Sequence, residues 1–325
     1  MVLRVTCAAA LLLAATPMTA ARADAPPAVA TIAMIGDVAR NVAGDCVDVT
    51  DLMGAGIDPH LYRASAGDVA TFQDAAAILY SGYSLEGQLG EVLGAMAERK
   101  PTVAVSPASI SPADLITVQD VYGIDPHLWM DVSLWGRIAP TIAGVFADVA
   151  PSCAAEMGAR ADDYAAELDA LHGWIEASIA SIPERQRVLV TAHDAFAYYG
   201  RAYGIDVRGI QGISTEAEAG IADIRSVVDL VVELGVPAVF VESTINPRTI
   251  QAVVDGAAAQ DHEVAIGGEL FSDAMGATGT GEGTYIGMLH ANTMKIVTAL
   301  GGEPAPWPEA LTGWAEQWSV DVTTN

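Results

Sequence analysis

Lysine is almost missing from this chain: Lys100 and Lys295 are the only two in 325 residues. Basic residues number 15 against 41 acidic ones, a formal charge of −26 at pH 7. So negative a surface repels phosphate backbones and anionic headgroups, which excludes nucleic acid and acidic membranes as partners. It favours cations, although most of such an excess can equally serve as a solubilising acidic surface. Long apolar runs are missing too. Past the first residues, no stretch is apolar for the roughly 20 residues that a membrane helix needs, so no membrane insertion is expected. Also absent are an HExxH run and a pair of metal-ligating side chains on one helix, the usual signatures of a catalytic zinc site.

The beginning of the chain reads as an address. Arg4 supplies a positive start, Ala8 to Ala15 is an apolar run too short to span a bilayer, and cleavage fits after Ala23 or Ala25. Residues 1–25 are therefore expected to be a signal peptide, and the remainder an exported, periplasmic protein. Its loss removes Arg4, Arg22 and Asp24, leaving 13 basic and 40 acidic residues and a charge of −27. Cys7 precedes the apolar run, a poor position for lipid attachment. Cys46 and Cys153 remain in an oxidising compartment, where they form either one disulfide or two buried thiols, and the disulfide is expected.

What the chain does contain is a phrase written twice. Gly56-Ile57-Asp58-Pro59-His60-Leu61-Tyr62 returns as Gly123-Ile124-Asp125-Pro126-His127-Leu128-Trp129. Each proline fixes its own φ and pushes the preceding aspartate toward an extended conformation, so the chain turns and presents the histidine outward. An imidazole on a stiffened loop loses little freedom on binding a borderline metal ion, which makes His60 and His127 candidate ligands. The competing reading is two similar turns whose histidines bond locally.

Periodicity places these loops in an α/β chain of two lobes. In the first, Val29–Ile35, Val47–Met53, Ala76–Tyr80 and Thr102–Val105 read as buried strands, with helical spacing over Asp37–Ala43, Ala64–Gln73 and Leu85–Arg99. Asp131 is expected to cap a helix to about Val149. Met157, Ala161, Tyr164, Leu168, Leu171, Ile175 and Ile179 then recur at steps of three and four, predicting one helix over Cys153–Ala180, a rod of roughly 40 Å. Beyond it the alternation resumes with strands at Arg187–Thr191, Val207–Ile210, Ala238–Val241 and Glu263–Ile266. The helices are Asp194–Tyr203, capped by Asp194, then Ala217–Leu234, Pro247–Gln260 and Tyr285–Leu300. The divisions are thus 26–150 for the first parallel-sheet (Rossmann-like) lobe, 151–181 for the connecting helix and 182–325 for the second lobe.

Ligands bind beyond the carboxyl ends of strands in open α/β sheets. His60, His127 and His193 all follow strands, and so does Asp273, two from each lobe. Three imidazoles and a carboxylate suit one divalent transition metal ion. His172, His262 and His290 have no such placement and read as structural. Glu242 and the pair Glu216 and Glu218 are candidates to accept from the outer nitrogens of ligating histidines, against a reading as caps and solvated charges.

The two Asp-Pro-His motifs do not stand alone. Thr191-Ala192-His193-Asp194-Ala195-Phe196, Gln211-Gly212-Ile213-Ser214-Thr215, Phe240-Val241-Glu242-Ser243, and Gly268-Glu269-Leu270-Phe271-Ser272-Asp273 followed by Gly283-Thr284-Tyr285 accompany them. Across essentially the whole exported chain this resembles the zinc/manganese solute-binding proteins of ABC importers, the ZnuA/TroA-like family, and in particular the type with histidine at the third ligand position. The resemblance implies two α/β lobes joined by one long helix, with manganese or zinc held in the cleft by His60, His127, His193 and Asp273. It also implies a membrane permease with its cytoplasmic ATPase. The mechanism expected is capture and delivery without catalysis, by a monomer. Many zinc-importing relatives carry a His-rich acidic loop before the second histidine, whereas Ser111–Gly123 contains no histidine. The rival readings are a secreted zinc-dependent hydrolase, for which no general base or cleft motif is evident, and a metal-binding adhesin, for which no anchoring cysteine is placed.

Overall fold

The computed structural model describes residues 25–119 and 123–322. The expected signal peptide thus lies outside the described residues, Ala25 excepted. In the first lobe β1 (Pro27–Ile32) runs between β2 (Asp48–Met53) and β3 (Ala77–Tyr80), and β4 (Thr102–Ala104) pairs with β3. All four are parallel, in the order β2-β1-β3-β4. The connections are α1 (Ala33–Ala43), α2 (Ala66–Asp74), α3 (Gly90–Ala97) and α4 (Val105–Ser109). The first strand stops three residues short of its expected end, because Ala33 to Ile35 already belong to α1. A short apolar run suits a buried helix as well as a strand, and periodicity does not separate the two. Ser65 starts α2 through a capping box: its hydroxyl accepts from the Asp68 amide at 3.2 Å while the Asp68 carboxylate accepts from the Ser65 amide at 2.7 Å.

Asp131 caps as expected, accepting from the amides of Ser133 and Leu134. The helix it starts breaks after one turn, giving α5 (Val132–Trp135) and α6 (Ile138–Val149) on either side of Gly136. The long helix α7 (Ala154–Ala180) has 27 residues, and all seven positions of its expected apolar face are buried, joined by Trp174. Cys46 and Cys153 are disulfide-bonded, with Cα atoms 6.2 Å apart, which ties the approach to β2 to the residue preceding α7.

The second lobe contains β5 (Val188–His193), α8 (Ala197–Tyr203), β6 (Asp206–Gln211), α9 (Ile221–Leu234), β7 (Ala238–Glu242), α10 (Arg248–Ala258), β8 (Ala265–Leu270), α11 (Tyr285–Ala299) and α12 (Thr312–Trp318). Its parallel ladders join β5 to β6 and β7 to β8, with β5 running beside β7. Asp194 does not cap α8, which begins three residues later after Phe196; the Asp194 amide instead donates to the Gln211 carbonyl at 3.1 Å. α12 carried no sequence signal, and it is held by the Trp314 indole donating to the Thr284 hydroxyl at 3.0 Å. One continuous apolar core runs from β1 through the buried face of α7 to α11, and a smaller valine-rich core fills the second lobe among β5, β7, α9 and α10. Among the described residues no helix is long and apolar enough to cross a membrane.

Candidate metal centre

Local chemistry makes the repeated phrase a repeated structure. Gly56 and Gly123 both take left-handed backbone, with φ of 71° and 69°, a conformation that glycine adopts without steric cost. Two residues later the aspartate turns back on its own chain: the Asp58 carboxylate accepts from the His60 amide and the Asp125 carboxylate from the His127 amide, each at 2.9 Å. The two histidines leave their loops in the same way. They do not face solvent as the motif alone suggests, for His60 is 1% exposed and His127 fully buried, because the second lobe covers them.

His193 ends β5 and Asp273 lies three residues beyond β8, and both are buried against the two loops. His60 Nε2 is 3.3 Å from His127 Nε2 and 3.6 Å from Asp273 Oδ2; His127 Nε2 is 3.3 Å from Asp273 Oδ1, and His193 Nε2 is 3.2 Å from Asp273 Oδ2. One donor atom from each of the four residues lies within 4.8 Å of every other. A tetrahedral zinc ion with bonds of about 2.0–2.1 Å sets its ligand atoms about 3.3–3.4 Å apart, so the spacing fits such an ion. Both Asp273 oxygens and His193 Nε2 are buried without a hydrogen-bond partner, and buried polar atoms left so are costly unless something else satisfies them.

Two further carboxylates orient the rings. Asp125 Oδ1 lies 2.8 Å from His127 Nδ1, and the Glu242 carboxylate is 2.5 Å from His193 Nδ1 while its other oxygen accepts from the His193 amide at 2.8 Å. The contact of Glu242 with His193 Nδ1 is short but poorly aligned for a hydrogen bond, and is best described as an ion pair. A carboxylate at Nδ1 favours the tautomer whose lone pair is on Nε2, the atom facing the cluster. Glu242 thus lies against the His193 ring and amide, whereas Glu216 and Glu218 are exposed. Asp125 was legible only as the turn residue before a proline; its second task, on the ring of the histidine two positions on, had no separate signal.

Charge in the centre follows from these neighbours. Burial disfavours the charged form of His60, and Asp273 offsets only part of that, so its pKa falls to about 3 and the ring stays neutral. Burial acts the same way on His127, but the hydrogen bond and charge of Asp125, with Asp273 behind them, outweigh it and lift the ring to about 9. Glu242 and Asp273 likewise hold His193 well above the usual histidine range against burial. Asp273 would be raised by burial, yet the two rings keep it well below the usual carboxylate range and hence ionised. Such a cluster favours positive charge at its centre, which a divalent cation supplies.

The remaining histidines are spoken for. His172 Nδ1 lies 3.2 Å from the Tyr203 hydroxyl, His262 Nε2 lies 3.0 Å from the Val236 carbonyl, and His290 stacks on Trp174 with ring centres 5.3 Å apart.

The chain is similar to several known proteins. The chain is 45% identical over 271 residues to the manganese-binding lipoprotein MntA of Bacillus subtilis, covering 83% of this chain and 88% of that one. It is 42% identical over 281 residues to the zinc-binding protein TroA of Treponema pallidum, covering 86% and 91%. The solved structure of that periplasmic zinc-binding protein superposes with a TM-score of 0.82 over 85% of this chain and 99% of TroA. The Fe(III)-bound structure of YtgA from Chlamydia trachomatis superposes with 0.78 at 26% identity, over 86% and 100%. A family model described as zinc-uptake complex component A, periplasmic, matches residues 28–299, and the chain belongs to that ZnuA family.

Proposed function

We propose that this chain is an exported carrier that captures one divalent transition metal ion, manganese or zinc, on His60, His127, His193 and Asp273 and delivers it to an ABC-type permease driven by a cytoplasmic ATPase. The observation that carries the reading is the meeting of four buried donors from both lobes, each within 4.8 Å of every other and with His60–His127 and the three Asp273 contacts at 3.2–3.6 Å, close enough for one small cation. The ion is cargo. A hydrolytic zinc site keeps an open position for water, whereas four protein donors would fill a tetrahedral shell, which weighs against the hydrolase reading. The relatives TroA and MntA, named for zinc and manganese respectively, support the range of ions. The carrier works as a monomer in the periplasm after cleavage behind Ala23 or Ala25, its lobes dividing at residues 150 and 182.

For a mixed nitrogen and oxygen site the intrinsic order puts zinc above manganese, so zinc binds more tightly in solution. The carboxylate of Asp273 and the lack of histidine in Ser111–Gly123 favour manganese as the physiological cargo. Calorimetric titration of His60→Ala, His127→Ala, His193→Ala and Asp273→Ala tests the ligand set, each substitution being expected to weaken metal binding at least tenfold with the fold intact. A variant that retains wild-type affinity removes its residue from the site.

A further inference from the structure

Trp129 lies two residues beyond His127 and is completely buried. Its ring stands edge-on to the His127 imidazole, with centres 5.3 Å apart and planes at 71°. Its indole N–H reaches across the cleft and donates to the Ser272 carbonyl at 2.8 Å, joining residues 143 positions apart. Ser272 immediately precedes Asp273. The carbonyl of Trp129 in turn accepts from the Tyr285 hydroxyl at 2.6 Å, which anchors the tryptophan to the start of α11. One residue behind Ser272, both backbone groups of Phe271 are bonded by the Asn292 side chain, at 2.8 and 2.7 Å. The backbone leading to Asp273 is thus held twice, by Asn292 from its own lobe and by Trp129 from the other.

That hold bears on how Asp273 meets an ion. Its Oδ1 lies toward His127 and its Oδ2 toward His193 and His60, so both oxygens border the space between the rings. A four-coordinate ion needs only one of them. Manganese, a harder ion that prefers more oxygen ligands, gains from the second, and a carboxylate free to rock would offer it less often. Losing the indole N–H would also leave the buried Ser272 carbonyl without its donor, a further reason for that backbone to shift.

Resting on the metal-carrier reading above, we infer that Trp129 is a positioning residue which, through the Ser272 carbonyl, holds Asp273 with both oxygens toward the ion and so sets the preference between manganese and zinc. The test is competition titration of Mn(II) and Zn(II) on Trp129→Phe, which keeps an aromatic ring beside His127 and removes the N–H. Manganese affinity is expected to fall at least tenfold and zinc affinity less than threefold. Trp135→Phe serves as the control: this neighbouring tryptophan is equally buried, its ring centre is 6.0 Å from that of Trp129, and its indole N–H has no hydrogen-bond partner, so the ratio should stay at the wild-type value. Should Trp129→Phe fail to fold, 3-benzothienylalanine placed at position 129 alone keeps the shape of indole without its donor, and the same ratio is read. Equal weakening of both ions, no weakening of either, or the same change in Trp135→Phe overturns the inference while leaving the carrier reading in place. A wild-type protein that binds neither ion removes both.

Discussion

At the scale of single residues, the centre is governed by what stands behind each histidine. An imidazole ligates through a lone pair, so a proton on that nitrogen competes directly with the ion. An unperturbed histidine would place the competition near pH 6.5. Asp125 moves it: with its carboxylate at Nδ1, the second proton of His127 sits on Nε2 and is held up to about pH 9. The sign follows from that shift. Below about pH 9 the metal must expel this proton, so affinity falls as pH falls through that value, and it should still be rising between pH 7 and 9 where a three-histidine site of ordinary pKa would have levelled off. Titration in chelator-buffered metal across pH 6–9 measures the slope. Asp125→Asn should lessen the slope of its upper part by the share of the His127 proton, leaving that of His193, which Glu242 and Asp273 also hold up, and an affinity independent of pH over the whole range would rule out protonatable imidazoles as ligands.

At the scale of elements, the connections to the rod α7 matter most. Cys153 directly precedes it and Cys46 lies just before β2, so their disulfide closes a loop whose ends are 107 residues apart in sequence. On the chain-entropy view, closing so long a loop stabilises by about 4–5 kcal/mol. Arg160 of α7 strengthens the same corner, donating to the carbonyls of Val42 and Ala43 at the end of α1 at 2.8 and 2.7 Å. Replacing both cysteines by serine should lower the urea-unfolding free energy by about that amount. Metal affinity should stay within a few fold, because both sulfurs belong to the rod corner and not to the histidine cluster. Mass spectrometry without reduction provides the direct check, and two alkylatable thiols in periplasmic material would refute the pairing. The rod was legible because its stripe is local and long; α12 was not, because seven residues offer too few repeats for a period to emerge and its place depends on Thr284.

At the scale of the whole molecule, the lobes meet through hydrogen bonds spread along the cleft. Tyr198 accepts from the Ile116 amide and donates to the Asp125 carbonyl, Tyr203 accepts from the Val132 amide, and Thr215 donates to the Asp58 carboxylate at 2.6 Å. With a helix rather than a Gly/Ser hinge between them, the lobes have few torsions about which to open. A carrier so constrained separates ions by what its ligands offer and by what the cell supplies. Deleting the gene is therefore expected to abolish uptake of radioactive manganese, while the purified protein prefers zinc in competition. Loss of zinc uptake with manganese uptake intact would overturn the cellular half of that expectation, and tighter manganese binding in solution the chemical half.

The sequence by itself determined what short-range rules can express. The doubled Gly-Ile-Asp-Pro-His phrase, the strand and helix alternation, the stripe of α7 and four candidate donors were all readable, because turns, periods and caps involve neighbours a few residues apart. Only the tertiary structure decided what those donors face. Glu242 meets His193 across 49 positions and Trp129 meets Ser272 across 143, and burial against His193 sets Glu242 apart from the exposed Glu216 and Glu218. The two copies of the phrase part company for the same reason. Asp125 is packed against the His127 ring and Asp58 is drawn to Thr215 of the other lobe, since identical local conformations acquire different partners once the chain closes on itself.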